Sequence, residues 1–205
     1  MTGLGDQTKI HYFDESAFRG ALLGRGRMAR SLPGQRVACD MPAPSRKNNS
    51  LLAITCLHFG EPKVLWELRV GGVKGADVAE FLTSGAVADT FQWGDILVLD
   101  NCSGHHAETE VALEKLYSVL GVHVVFLPAY HPYINGIEFM FGWIKNQLSH
   151  DDSYYHTDDR LLSLTTQLLE SVDERLMVSF YKQASKELDK EMAMRDARLS
   201  AMDTV

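Results

Sequence analysis

Two aspartates and one glutamate in this sequence have the surroundings expected of metal ligands. Asp14 closes the apolar run IHYFD and Asp100 closes DILVLD, so each is predicted at the carboxyl end of a buried strand. Open α/β sheets bind their ligands at this end. An acidic residue that closes one strand is more often only a solvated strand end, but two such residues favour a shared site.

Carboxylates without accompanying cysteine ligands suit hard cations that bind oxygen, above all Mg²⁺, with Mn²⁺ as a substitute. Two such ions stabilise the attacking and the leaving oxygen of a phosphoryl transfer. Three carboxylates can hold both ions if one of them bridges the pair, and Asp14 is the predicted bridge. A zinc site is disfavoured because the histidines form no HxxxH or HxH pair.

The third acidic residue, Glu138, has two competing interpretations. In the sequence NGIE, Asn135 fits a helix cap and Glu138 the third helical position, which is a capping box that needs no catalytic role. Against this, positions 138, 142, 145 and 149 form a non-apolar stripe on a helix that is otherwise largely apolar. Such a helix should be mostly buried, and its polar stripe should face a cleft.

The elements that must position these residues follow from the hydrophobic pattern. Strands are predicted from Lys9 to Asp14, at 50–59 and 63–70 as a hairpin, and at 95–100 and 122–128. Helices are predicted at 75–91, at 108–121, from Asn135 onward, and at 157–172 and 174–200. The strand, helix and strand between 95 and 128 form a βαβ unit, so these two strands should be parallel.

Composition and charge indicate a globular, intracellular protein with an uneven charge distribution. Of 205 residues, 45% are hydrophobic and 23% charged, and no stretch is long and apolar enough for a membrane span. Three widely spaced cysteines form no disulfide framework. The net charge is −7, but residues 19–47 carry seven basic residues against one acidic residue. This basic arm is expected to contact a DNA backbone or to be merely solvated.

Three segments resemble the mariner-type DDE transposases, also called DDE superfamily endonucleases. They are FDES at 13–16, LDNCSGHH at 99–106 and LPAYHPYINGIEFMFGWIKNQL at 127–148. In that family one strand ends in Asp-Glu-Ser and another in Asp-Asn with a histidine soon after. A Leu-Pro-x-Tyr-x-Pro-x-x-Asn-Pro-Ile-Glu segment then leads into an aromatic helix. The likeness covers roughly residues 9–148.

The resemblance implies a ribonuclease-H-like fold: a mixed five-stranded sheet flanked by helices, here over residues 1–150, with a C-terminal helical extension over 151–205. It assigns catalysis and metal binding to Asp14, Asp100 and Glu138, with Mg²⁺ as the cofactor. The implied reaction is DNA strand cleavage and strand transfer in cut-and-paste transposition. The implied partner is double-stranded DNA, both transposon ends and target, and a homodimer is compatible with it. Localisation would be nuclear in a eukaryote and cytoplasmic otherwise.

Several further residues are candidates for DNA contact. They are Arg25, Arg27, Arg30, Arg36 and Lys47 in the basic arm, His105 and His106 after the second aspartate, and Lys145 on the polar stripe. The two histidines match the family's histidine, but helix capping or packing explains them equally well.

The sequence departs from the family pattern in three places. Gly136 stands where proline is usual, so the start of the Glu138 helix is expected to be loose, and Gly136→Pro should raise activity. The spacing between Asp100 and Glu138 is slightly long. Only eight residues precede the first strand, so the N-terminal helix-turn-helix region is expected to be absent. Two alternatives to an active transposase therefore remain. One is a non-catalytic, domesticated relative that binds nucleic acid or protein, and the other is a structure-selective nuclease of the same fold.

Overall fold

A mixed five-stranded sheet forms the centre of the molecule. The computed structural model describes residues 9–18, 48–58, 61–100, 106–129, 131–150 and 158–202. The strands are β1 (Ile10–Phe18), β2 (Asn49–His58), β3 (Glu61–Val70), β4 (Ile96–Leu99) and β5 (His123–Phe126). Their order is β3-β2-β1-β4-β5, with antiparallel pairs on the β3 side and parallel pairs on the β5 side. The predicted mixed sheet and the hairpin of β2 and β3 are confirmed.

The helices of the described chain are α1 (Gly75–Thr83), α2 (Gly85–Ala88), α3 (His106–Leu120), α4 (Gly136–His150), α5 (Asp158–Glu170) and α6 (Glu174–Met202). A short 3₁₀ turn, Pro132–Ile134, precedes α4. Helix α3 connects the parallel strands β4 and β5, which confirms the predicted βαβ unit. None of the helices in the described ranges is long and apolar enough to cross a membrane.

Most predicted elements differ from the structure by a few residues at their ends, and two differ by more. The strand predicted to end at Asp14 continues to Phe18, because residues 14–18 keep pairing with residues 49–53 of β2. The single helix predicted at 75–91 is broken at Ser84, whose backbone is extended (φ −62°, ψ 147°). The Ser84 hydroxyl accepts a hydrogen bond from the Val87 N–H at 3.4 Å and so begins α2. The prediction missed this break because the spacing of apolar residues continues through Ser84 and does not reveal a helix cap at that position.

The sheet is buried on both faces, which confirms the predicted helical layers. Successive residues of a strand point to opposite faces, and β2 illustrates this alternation. Leu51 and Ala53 pack with the buried sides of α4, α5 and α6. Leu52 and Ile54 pack on the other face, in the cluster that includes α1 and α3. Both layers therefore hold the central strand β1 in place.

The start of β1 is tied to the start of β4 by one buried carboxylate. Asp95 is fully buried, and it accepts hydrogen bonds from the Lys9 N–H at 3.1 Å and from the Gln92 N–H at 2.8 Å. It also contacts His11 Nε2 at 3.0 Å. Burial lowers the pKa of His11, so the ring is neutral and donates its Nε2–H to Asp95. This tie fixes the register of β1 against β4 at the end opposite to Asp14.

Replacing Asp95 should destabilise the whole fold. Asp95→Ala would leave two buried donors, Lys9 N–H and His11, and the half-buried Gln92 N–H without their acceptor, so we expect the free energy of unfolding to fall by about 3 kcal/mol. Urea unfolding followed by circular dichroism measures this change. Asp89→Ala, which removes an exposed carboxylate nearby, is the matched control and should change stability by less than about 0.5 kcal/mol. A loss below about 1 kcal/mol for Asp95→Ala would show that the tie is dispensable.

Candidate active site

The pairing of β1 with β4 places two aspartates at one edge of the sheet. The parallel pair ends where Phe13 lies opposite Leu99. Asp14 is therefore the first residue of β1 beyond the reach of β4, and Asp100 is the first residue after β4. Both line an open cleft of about 1190 Å³, together with Glu138 from the first turn of α4. The cleft is also lined by Glu15, Thr109, Glu110 and Phe126.

Asp14 and Glu138 interact directly. Burial and then the negative charge of Glu138 raise the pKa of Asp14 to about 7, and the charge of Asp100 adds to this rise. Burial also raises the pKa of Glu138, while the positive charge of Lys145 and a hydrogen bond with Asp14 oppose the rise. The carboxyl groups are thus close enough to share a proton. A cluster of this kind favours a bound proton or a bound cation over its fully ionised state.

Asn135 does not form the capping box of the first interpretation. Its side-chain Nδ2 donates a hydrogen bond to Asp14 Oδ2 at 3.1 Å, so the amide faces β1 and not the first turn of α4. The Glu138 N–H instead donates to the backbone carbonyl of Asn135 at 3.1 Å. The other oxygen of Asp14 accepts the backbone N–H of Glu15 at 2.7 Å. The interpretation of Glu138 as a member of a capping box is therefore wrong.

The oxygen atoms at this edge suit a hard divalent cation. The three acidic side chains offer carboxylate oxygens, which are the ligands that Mg²⁺ and Mn²⁺ prefer. The amide Oδ1 of Asn135 is buried beside them and has no hydrogen-bond donor among the described residues. Within those residues, however, no three side chains of His, Cys, Asp or Glu lie close enough to enclose an ion.

The polar stripe of α4 is present as predicted. Ile137, Phe141 and Ile144 are buried, whereas Glu138, Gly142, Lys145 and Ser149 are not. The Lys145 ammonium lies 5.4 Å from the centre of the Phe18 ring and acts on Glu138 through its charge. Lys145 therefore sits on the cleft side of the helix.

The other candidates for DNA contact cannot be placed. Arg25, Arg27, Arg30, Arg36, Lys47 and His105 lie outside the described residues. His106 begins α3, but its side chain is also outside the described part.

The 3₁₀ turn before α4 is held by the last helix. The Tyr133 hydroxyl donates to Glu191 Oε1 at 2.6 Å, and His131 Nε2 lies 3.5 Å from Glu191 Oε2. Ile134 is buried against the parallel side of the sheet. Helix α6 therefore stabilises the 3₁₀ turn that precedes Asn135 and Glu138. Local sequence patterns do not reveal this contact.

Gly136 is tightly packed, contrary to the expectation that it loosens the start of α4. A Cβ at this position would lie 2.9 Å from Cε2 and 3.0 Å from Cδ2 of the Tyr12 ring. The ring of Tyr181 packs edge-on against Tyr12 with 4.9 Å between the ring centres. The Tyr181 hydroxyl donates to backbone carbonyls of β1 and β2. Glycine is therefore the residue that lets α4 approach β1, because the Tyr12 ring occupies the space of a larger side chain.

A family model described as DDE superfamily endonuclease matches residues 9–162. None of the curated proteins matches the chain. Among solved structures, a pre-cleavage Mos1 transpososome is similar, with 17% identity and a TM-score of 0.61 over 88% of this chain and 55% of that chain.

The Mos1 strand transfer complex matches with 16% identity and a TM-score of 0.61, over 88% and 52% of the two chains. A Mos1 mariner paired end complex with Mn matches with 15% identity and a TM-score of 0.60, over 88% and 53%. The chain thus spans about half the length of these structures. The likeness confirms the predicted ribonuclease-H-like fold.

The raised pKa of Asp14 predicts an unusual pH dependence of stability. Its pKa of about 7 lies above the ordinary value of 3.8, so folding favours the protonated form. The stabilisation is complete at low pH and is lost as the pH rises through 7. In EDTA, we expect the wild type to lose about 2 kcal/mol more than Asp14→Asn between pH 5 and pH 8 in urea unfolding. The exposed Asp89→Asn variant should follow the wild type, and parallel profiles for all three proteins would contradict the prediction.

The contact between Gly136 and Tyr12 predicts that proline is harmful here. Gly136→Pro should lower the free energy of unfolding by about 1–3 kcal/mol, because the added atoms overlap the Tyr12 ring. Adding Tyr12→Ala should recover part of that loss, which a double-mutant cycle measures as coupling. Gly142→Ala is the matched control on the exposed side of α4, with nothing within 4 Å of its Cβ. It should stabilise the protein by about 0.5–1 kcal/mol. A stabilising Gly136→Pro would refute the packing argument.

Proposed function

Because the chain belongs to the DDE superfamily endonuclease family, we propose that it cleaves DNA strands and joins the freed 3′ ends to target DNA. Asp14, Asp100 and Glu138 are the proposed catalytic residues, which would hold two Mg²⁺ or Mn²⁺ ions. The observation that carries this proposal is the meeting of three carboxylates from β1, β4 and α4 in one cleft. This cleft lies at the carboxyl ends of the parallel strands, where α/β sheets bind their ligands.

The acidic residues would contribute by their charge and by their fixed position. When bound, divalent ions activate the attacking oxygen and support the leaving 3′ oxygen at a phosphate. Asp14 is the proposed bridge, because it adjoins Asp100 across the strand pair and contacts Glu138 from α4. Its two oxygens are anchored by neutral donors, the Glu15 N–H and the Asn135 amide. These donors carry no positive charge, so they do not compete with a cation that replaces the proton of Asp14.

Double-stranded DNA is the proposed partner. The similar Mos1 structures are a pre-cleavage transpososome and a strand transfer complex, and a further one is a paired end complex with Mn. They support DNA ends and target as substrates and a divalent ion as cofactor, and paired DNA ends are compatible with a homodimer. Lys145, on the cleft side of α4, is suited to contact a phosphate near the carboxylates. The basic arm at 19–47 would add sequence-independent contacts to the DNA backbone.

A second candidate function is the binding of nucleic acid or protein without any cleavage of DNA. The observation in its favour is that, among the described side chains, no three potential ligands are already assembled around an ion position. The overall charge of −7 also opposes tight DNA binding outside the basic arm. In this case the acidic cluster would be a remnant, and its individual carboxylates could be replaced without effect on any reaction.

A plasmid-nicking assay separates the two functions. In Mn²⁺ or Mg²⁺, we expect the wild type to nick supercoiled DNA, and EDTA, Asp100→Asn or Glu138→Gln to reduce the rate to background. Glu114→Gln, which changes an exposed carboxylate lining the same cleft, should leave the rate unchanged. Labelled oligonucleotides with a 3′ hydroxyl then test for joining to the plasmid. If the wild type and Glu138→Gln are equally inert during long incubation with Mn²⁺, the protein is a binding protein and not an enzyme.

A further inference from the structure

Asn135 connects the two halves of the acidic site. We infer that it is a positioning residue, whose buried amide orients Asp14 for cation binding while its backbone begins the helix that carries Glu138. This inference rests on the proposed function, because it concerns cation binding at the same carboxylates. The sequence pattern pointed elsewhere, since an asparagine before a helix usually caps it.

The contact between Asn135 and Asp14 is a long-range hydrogen bond between a buried amide and a half-buried carboxylate. Asn135 is fully buried, and the two residues are 121 positions apart in the chain. Its Nδ2 lies 3.1 Å from Asp14 Oδ2. The reverse orientation of the amide would place its oxygen against a carboxylate oxygen, which is repulsive when Asp14 is ionised. The amide therefore selects one rotamer of Asp14, and the Glu15 N–H holds the other oxygen.

The backbone of Asn135 places Glu138. Its carbonyl accepts the Glu138 N–H at 3.1 Å, and its own N–H donates to the Pro132 carbonyl at 2.9 Å. A displacement of Asn135 would therefore move the first turn of α4 and the 3₁₀ turn together. The contacts of Tyr133 and His131 with Glu191 restrain this segment from the side of α6. The same residue thus fixes the separation between the carboxylates of Asp14 and Glu138.

The unsatisfied oxygen of the amide argues against a purely structural role. Asn135 Oδ1 is buried and has no donor among the described residues. Leaving a buried acceptor unpaired destabilises the fold, so an apolar side chain of similar shape would be the better choice for stability alone. Because both amide atoms share one carbon, Oδ1 also lies close to the Asp14 carboxylate.

Calorimetric titration with Mn²⁺ and steady-state nicking kinetics test this role. Asn135→Leu keeps the approximate shape and removes both amide groups, and Asn135→Ala removes the side chain. Asn146→Ala, on the exposed side of the same helix, is the matched control. We expect both Asn135 variants to bind Mn²⁺ about tenfold to a hundredfold more weakly, because residues that orient metal ligands have effects of this size. The kcat should fall by a similar factor and recover partly at high Mn²⁺, with KM for DNA nearly unchanged.

The possible failures are distinguishable. Urea unfolding shows whether each variant is folded. If Asn135 has only a structural role, Asn135→Leu will change the free energy of unfolding, but the folded variant will keep the wild-type Mn²⁺ affinity and kcat. That result overturns the inference and leaves the proposed function intact. If the wild type neither binds Mn²⁺ nor nicks DNA faster than Asp100→Asn, the proposed function fails and the role of Asn135 fails with it. Equal losses in Asn146→Ala would also refute a specific role for Asn135.

Discussion

The register of β1 against β4 is the constraint on which the rest of the site depends. With Phe13 opposite Leu99, the next residue of each strand is an aspartate, so both carboxylates reach the same edge of the sheet. A slip by one residue would turn every β1 side chain to the opposite face, and Asp14 would then exchange places with a core phenylalanine. Two features oppose such a slip. The alternating side chains of β1 pack into the two cores on opposite faces of the sheet. The buried Asp95 also joins the start of β1 to the start of β4, at the end of the strands away from the two aspartates.

The third carboxylate depends on a different kind of constraint, the rigid approach of a helix to this strand pair. Ile137, Phe141 and Ile144 bury one side of α4 in the core that also contains residues of α5 and α6. A helix anchored in this way cannot rotate without exposing large apolar side chains, so Glu138 stays on the cleft side. Close approach to β1 is possible because Gly136 leaves room for the Tyr12 ring. Helices α5 and α6 thus stabilise the position of Glu138, although this residue lies on α4.

Much of this arrangement could be predicted from the sequence, because period and turn chemistry are local signals. The strands before Asp14 and Asp100, the βαβ unit and the polar stripe on α4 all follow from short-range patterns. The misjudged features depend on residues far apart in the chain. β1 continues past Asp14 because β2 is there to pair with it, and Asn135 turns away from its helix because Asp14 offers a charged acceptor. The local sequence suggested that Gly136 weakens its helix. In the structure a glycine is required at this position because the Tyr12 ring of β1 packs against it.

The way in which Asp14 is held explains how a cluster of like charges can belong to a stable fold and still be useful. A cationic partner such as an arginine would neutralise the carboxylate and lower its affinity for a metal ion. Neutral donors, a backbone N–H and an amide, fix its orientation and leave its charge in place. Burial, and then the repulsion from Glu138, raises the pKa of Asp14, and burial also raises the pKa of Glu138. The cores on both faces of the sheet supply the stability that offsets this electrostatic cost, so the acidic cluster has a preference for binding cations.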